Sequence, residues 1–310
     1  VSAPRARIVL GVLVLAGALL RAPGLWSDFW LDEIWTWSSA RGLESAFGVF
    51  TQIHDSNNNH LNTLWIHWLG EDRSPLLYRL PAFLAGVASV ALAAALAWRR
   101  DRLEALFAAG LLTGCFALVH YASEARGYSP AVALALGALL ALERHLERPR
   151  PATALAFGLC VTLGFLFHLI FLAFWAGAAA WSFRRWARGD LGGRALAAAH
   201  VPPALGLAVL AWVDLRHFQL GGGNPTNPSE LVARTVGFAL GLPVRPALAW
   251  PYALLAASLI AAGLLLLWRR GDDRWLLHGV AIVAAPLPAI ALLQPQVVAV
   301  RYFLIGITLT

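Results

Sequence analysis

The chain contains no lysine and no methionine, and charged residues make up only 13% of its 310 positions. A water-soluble chain of this length would carry about twice that share of charge. All 24 basic residues are arginine, a bias expected of a GC-rich genome, with Val1 read as a start codon translated literally. Cysteine is nearly missing as well. Cys115 and Cys160 both fall inside apolar runs, so no disulfide framework is expected and both read as packing residues. No G-x-G-x-x-G, P-loop, H-E-x-x-H or G-x-S-x-G pattern occurs, and no internal repeat is evident. Gly221-Gly222-Gly223-Asn224-Pro225 does not join a strand to a helix, so it reads as a flexible loop, and nucleotide binding has no support.

What the chain has is apolar sequence. Hydrophobic residues are 59% of the total and mean hydropathy is +0.65. Leu, Ala and Val gather in runs of about 17 to 25 residues, enough to cross a hydrocarbon core of about 30 Å as helix. The runs are about Ile8–Leu20, Leu76–Trp98, Leu103–Val119, Pro130–Leu142, Ala152–Phe167, Leu169–Trp181, Ala195–Val213, Trp250–Leu267 and Trp275–Leu293. A tenth begins near Phe303 and meets the end of the sequence, so a continuation beyond Thr310 is expected. The expected fold is all-α: a polytopic transmembrane helical bundle of about ten spans, residues 1–310 forming one transmembrane domain.

Alternating the spans assigns the connections to sides. One side holds Arg5, Arg7, Arg99, Arg100, Arg102, Arg144, Arg148, Arg150, Arg184, Arg185, Arg188, Arg194, Arg269, Arg270 and Arg274, which is 15 of the 24 arginines, in short loops. Arginine-rich short loops face the cytoplasm. The N-terminus is therefore expected inside, in the plasma (inner) membrane of a cell. The first run has no small-residue cleavage site before Arg21, so it reads as an uncleaved anchor. The basic balance reflects topology, and no nucleic-acid partner is expected.

The first outer loop, residues 21–74, carries Trp26, Trp30, Trp35, Trp37, Trp65 and Trp68, six of 14 tryptophans. Indoles favour the headgroup level. Between His60 and Gly70, the residues Leu61, Leu64, Trp65, Trp68 and Leu69 follow helical spacing. A short amphipathic helix on the membrane surface is expected there.

Four features of the outer side carry chemistry. Asp32 and Glu33 follow the apolar Phe29-Trp30-Leu31. Asp32 is either an N-cap of a helix beginning at Glu33 or a general base beside an apolar surface, and the adjacent carboxylates point about 100° apart on a helix, so their duties differ. The island Tyr121 to Tyr128 includes Glu124 and Arg126. There a guanidinium can make paired bonds to phosphate, or an Arg–Glu pair can close a turn. His168 sits between two apolar runs with no room for a real loop, either donating to a backbone carbonyl or acting in a site. Arg301-Tyr302 stands at the mouth of the last run, as anchor or as ligand.

Together these blocks resemble the polyprenyl-phosphate-dependent glycosyltransferases of the GT-C fold, in particular the protein O-mannosyltransferase-like branch that includes the lipid A aminoarabinose transferases. The residues carrying the resemblance run Trp30-Leu31-Asp32-Glu33-Ile34-Trp35-Thr36, then Asn59-His60-Leu61-Asn62-Thr63-Leu64, then Tyr78-Arg79-Leu80-Pro81, then Tyr121 through Tyr128, with His168 and Arg301-Tyr302 as later landmarks. The likeness covers essentially the whole chain, and its specific part is the order of the blocks and their common side. One departure is Leu61 after His60, where the family has proline.

The resemblance implies a membrane enzyme that takes a sugar from a polyprenyl-phosphate carrier and passes it to an extracytoplasmic glycan, lipid or protein. It places the catalytic carboxylate on Asp32, with Glu33 positioning acceptor or loop. Arg126, Arg79 and Arg301 would steady the lipid phosphate, with Tyr128, His60, His168, Glu124 and Tyr302 lining the substrate site and membrane lipids surrounding it. The scheme requires no metal. A divalent ion on Asp32, Glu33 and His60 is compatible with it, because some relatives bind one. Two other readings remain open: a transporter or lipid flippase, which would place polar groups near the bilayer midplane, and a non-catalytic membrane scaffold.

Overall fold

The computed structural model describes residues 2–219, 227–286 and 298–309. Among them 79% are helical and there is no strand. The expected Gly221–Pro225 loop and most of the second half of the 275–293 run lie outside the described residues. Five helical stretches are long and apolar enough to cross a membrane by length and composition, at Ala3–Trp26, Pro75–Trp98, Tyr128–Glu147, Gly193–His217 and Pro246–Arg269. They mark the chain as a membrane protein.

The helices are α1 (Ala3–Arg21), α2 (Leu31–Arg41), α3 (Gly48–Thr51), α4 (His60–Leu69), α5 (Pro75–Trp98), α6 (Arg102–Gly114), α7 (Phe116–Tyr121) and α8 (Tyr128–Glu147). They continue with α9 (Pro151–Phe167), α10 (Phe171–Ala187), α11 (Gly193–Val213), α12 (Pro228–Leu240), α13 (Ala249–Arg269), α14 (Arg274–Gly279) and α15 (Leu304–Leu309). Starts follow local chemistry. Pro75 and Pro151 occupy the first turns of α5 and α9, where a missing N–H costs nothing. Asp101 caps α6, accepting from Leu103 N at 2.6 Å.

The expected run 103–119 is two helices. Cys115 is extended, with φ −64° and ψ 110°, and it separates α6 from α7. Gly110 and Gly114 in the preceding turns weaken the helix that a continuous run would need. Another helix, α12, lies in what reads from sequence as a plain connection.

The core is organised around α8, whose Tyr128, Val132, Leu136, Leu139 and Leu142 are buried against α5, α9 and their neighbours. Large apolar side chains point outward from α1 (Ile8, Val12, Leu15) and α13 (Leu254, Leu259, Trp268). Apolar surface on this scale belongs in lipid.

Ionic groups collect at two ends. Arg79 lies in the first turns of α5 and Arg99 just after its last, about 30 Å apart by helical rise. At the second end Arg99 pairs with Glu147 at 2.6 Å and Glu143 at 3.4 Å, and Arg274 meets Glu143 at 3.1 Å. At the first end lie Asp32, Glu33, Arg79, Arg126 and Arg301.

Candidate functional site

Helix α2 is turned inside out relative to a soluble amphipathic helix. Its buried face is Asp32, Glu33, Thr36 and Ala40. Its exposed face is Leu31, Ile34 and Trp35. This arrangement is stable only where carboxylates find donors inside and the apolar stripe meets an apolar surround. By contrast α4, the helix expected on the membrane surface, is packed among α2, α5 and α9. It buries His60, Asn62, Thr63 and Ile66, and only Trp68 of its apolar stripe is fully exposed. The polar positions decide: Asn62 Nδ2 donates to Ala125 O at 2.6 Å. That bond draws α4 toward the protein.

Glu33 is 0% exposed and saturated. Arg79 clamps it through Nε to Oε1 at 2.8 Å and Nη2 to Oε2 at 2.7 Å. Ala125 N donates to Oε1 at 2.6 Å, and Trp30 N donates to Oε2 at 3.2 Å. The cap of α2 is therefore made by Glu33 reaching back to Trp30, and Asp32, in the first turn, is not the N-cap residue that spacing suggested. A carboxylate so fully engaged is placed to hold the start of α2 against α5 and the Ala125 turn.

Arg79 is equally committed. Beyond Glu33, Nη1 donates to Gly24 O at 2.8 Å and Ser27 O at 2.6 Å, and Nη2 to Asp28 O at 3.0 Å. All five N–H groups are used. The expectation that Arg79 offers its guanidinium to a lipid phosphate is corrected: it staples the segment before α2 to α5.

Arg126, 1% exposed, threads the centre. Its Nη1 donates to Asp32 O at 3.2 Å, to Thr36 Oγ1 at 2.9 Å and to Asn57 Oδ1, and its Nη2 donates to Tyr128 OH at 3.3 Å. Its contact with Asp32 is to the backbone, not the carboxylate. Among the described residues its Nε finds no partner. Thr36 and Asn57, which hold Arg126 and the α2 backbone together, were not singled out from sequence. Asn57 Nδ2 also donates to Asp32 O at 2.9 Å, and no pattern in the sequence distinguishes it from Asn58.

Arg301 takes the remaining carboxylate. Nη1 lies 3.0 Å from Asp32 Oδ2, an ion pair outside hydrogen-bond geometry, and Trp30 and Tyr302 flank the guanidinium with ring centroids at 5.5 and 5.7 Å. From Arg126 the site continues through aromatic contacts. Tyr128 lies 4.5 Å from the His168 ring, which lies 6.1 Å from Tyr302. His168 is held well below its ordinary pKa by burial and by Arg126 and Arg301, so the imidazole is neutral. Its Nδ1 accepts from Ile170 N at 3.1 Å.

Glu124 lies at the rim. Burial, then Glu33, push its carboxyl up to about 8 against the pull of Arg126 and Arg301. Its Oε1 is 3.3 Å from His120 Nε2, and Oε2 has no partner among the described residues. Gly127 closes the island: a Cβ there would stand 1.9 Å from Phe167 O and 2.9 Å from Asn59 Oδ1. The glycine allows α8 to start directly against the end of α9.

His168 and Tyr302 also face an apolar cavity of about 590 Å³ between α9, α10 and the loop before α4. Phe165, Leu172, Ala176 and Phe303 line it, and Asn58, Asn59 and His60 form its polar edge. Asp32, Arg126 and Glu124 stand behind this wall, not on it. His60 turns its Nε2 to Asp214 Oδ2 at 2.7 Å. Its place in the cavity wall fits a lining role, whereas a divalent ion shared with Asp32 and Glu33 does not fit: Glu33 is filled by Arg79, and no group of three metal-ligating side chains occurs among the described residues.

Thus Asp32, Arg126, Tyr128, His168, Arg301 and Tyr302, drawn from four separate parts of the chain, form one contiguous cluster. Comparison with protein-family models and with curated proteins gives no significant match.

Proposed function

We propose that the chain is a membrane glycosyltransferase that moves a sugar from a polyprenyl-phosphate carrier to an acceptor outside the cytoplasm. The reading includes the finer topology: the five long helices, with α6–α7, α9, α10 and the runs beginning at Arg274 and Val300, make a GT-C-like bundle of about ten spans. The N-terminus is cytoplasmic, and the bundle sits in the plasma membrane. The observation that carries the reading is the Asp32–Arg301 pair beside Arg126, behind a cavity of apolar walls. A single carboxylate, poised guanidiniums and an apolar trough are what a lipid-phosphate donor requires.

In the reaction, the acceptor hydroxyl or amine attacks the anomeric carbon while its proton passes to the Asp32 carboxylate. The bond from that carbon to the phosphate oxygen breaks, and its electron pair stays on the lipid phosphate. Configuration inverts. The departing phosphate monoester is stable, so positive charge, not an acid, is what helps it leave. Arg301 supplies most of that charge, because its Nε finds no partner among the described residues, with Arg126 Nε likewise open beside it. Without donor, Arg301 neutralises Asp32. An incoming phosphate draws the guanidinium away and leaves the carboxylate free to take a proton. The isoprenoid chain lies in the apolar cavity, past His168 and Tyr302.

The test is release of polyprenyl phosphate and appearance of an inverted glycoside when membranes containing the chain receive synthetic polyprenyl-phosphate sugars. Absence of any chain-dependent release across hexose and pentose donors would defeat the proposal.

A further inference from the structure

His54, in the loop before α4, and His60, the first residue of α4, share one carboxylate at the end of a helix about half the chain away. Asp214 follows the last residue of α11 and is 1% exposed. Its Oδ1 meets His54 Nδ1 at 2.5 Å, and its Oδ2 meets His60 Nε2 at 2.7 Å. The backbones repeat the join. Gln219 N donates to His54 O at 2.6 Å, and Ser56 N donates to Gln219 O at 3.1 Å, around an isolated bridge between Asp55 and Gln219.

The loop is itself preformed. Asn58 Nδ2 donates to Val49 O and Ile53 O, each at 2.8 Å, and the Phe50 ring stacks on His60 at 5.3 Å. Its apolar residues Leu43, Val49 and Ile53 form a small cluster separate from the main core. The seat of segment 49–60 on the helices therefore rests on polar contacts: Asn57 and Asn59 hold one side to Asp32 O, Arg126 and Gly127, and Asp214 holds the other through His54 and His60. A carboxylate this buried persists only while paired, so burying Asp214 and docking the segment are one event. Ser56, Asn58, Asn59 and His60 from this segment and Phe218 from the other side of the join roof the 590 Å³ cavity. Arg216 and His217 stand at the outer edge: Arg216 Nε donates to His217 Nε2 at 2.9 Å, and the His217 ring lies 5.2 Å from His54.

We propose that Asp214 is a positioning residue whose clamp on His54 and His60 holds segment 49–60 as a releasable roof, and that a long-chain apolar ligand enters the cavity when the clamp opens. The identity of the ligand as an isoprenoid chain rests on the transferase reading; the clamp does not.

Hydrogen exchange by mass spectrometry on the full chain tests the clamp. In Asp214→Asn, amides of 49–60 and 214–219 should exchange at least about tenfold faster than in wild type, with α8 unchanged. His54→Gln, which cuts one of the two pairs at a partly exposed position, should give a smaller rise in the same segments, and Asp214→Glu should restore part of the protection. Equal protection of 49–60 in all variants would overturn the proposal, as would a loss spread evenly into α8, which would mean that Asp214 only supports the fold. Entry of a dansyl-labelled fatty alcohol tests the gate without any sugar donor. Its association rate should rise in Asp214→Asn, and an unchanged rate would show that the roof is not the way in.

Discussion

Arg301 Nη1 stands 3.0 Å from Asp32 Oδ2, joining the first loop of the chain to its last described segment. The carboxylate side chain is 11% exposed and the guanidinium 22%, so the pair is only partly screened by solvent. Replacing Arg301 with Ala should weaken donor binding by about 10- to 100-fold. A cycle of Asp32→Asn, Arg301→Gln and the double variant should show a coupling of about 1 kcal/mol in stability. Additive effects would mean that the two groups do not sense each other.

Glu33 and Arg79 should behave as structure. Removing one partner of a buried bidentate pair typically costs about 3–5 kcal/mol, so Arg79→Ala and Glu33→Gln should both lower the thermal midpoint strongly and unseat α2. A stable Arg79→Ala variant with a selective loss of donor affinity would return Arg79 to the phosphate site.

Much of this was legible in the sequence, and the limits have physical causes. Apolar run length is enough to place α5, α8, α11 and α13, because lipid demands a fixed span. The cut at Cys115 depends on local backbone, and average hydropathy does not see it. Asp32, Arg126, His168 and Arg301 stand out because charge near an apolar run is costly. What spacing could not settle was duty. Glu33 and Asp32 are adjacent acids, and only the position of Arg79, 46 residues on, assigns the cap and the clamp to Glu33 and leaves Asp32 free. Asn57 and Asp214 were invisible because their side-chain partners are 21 or more residues away.

Glu124 gives a pH signature. Its folded pKa of about 8 lies above the ordinary 4.5, so the folded state holds the proton more tightly than the unfolded one. The stability tied to the neutral carboxyl is complete below about 4.5 and is lost progressively as pH rises through 8. Glu124→Gln should therefore match wild type at pH 4.5 and be the more stable protein at pH 8.5. Parallel thermal midpoints at both values would place an ionised carboxylate at 124.

The exposed stripe of α2 should touch lipid. A nitroxide on Ile34→Cys should relax with oxygen more than with a water-soluble nickel chelate, as a lipid-facing label on α1 does. The reverse preference would put Leu31, Ile34 and Trp35 in water.

Turnover by Asp32→Asn is the most direct test of the whole account. With synthetic polyprenyl-phosphate sugar in membranes, the variant should lose about 100- to 10,000-fold in transfer rate, the range of a general base, while its donor affinity stays equal to or tighter than wild type. Equal turnover in the two proteins would contradict the account and would point instead to Glu124, the other carboxyl that senses Arg126 and Arg301.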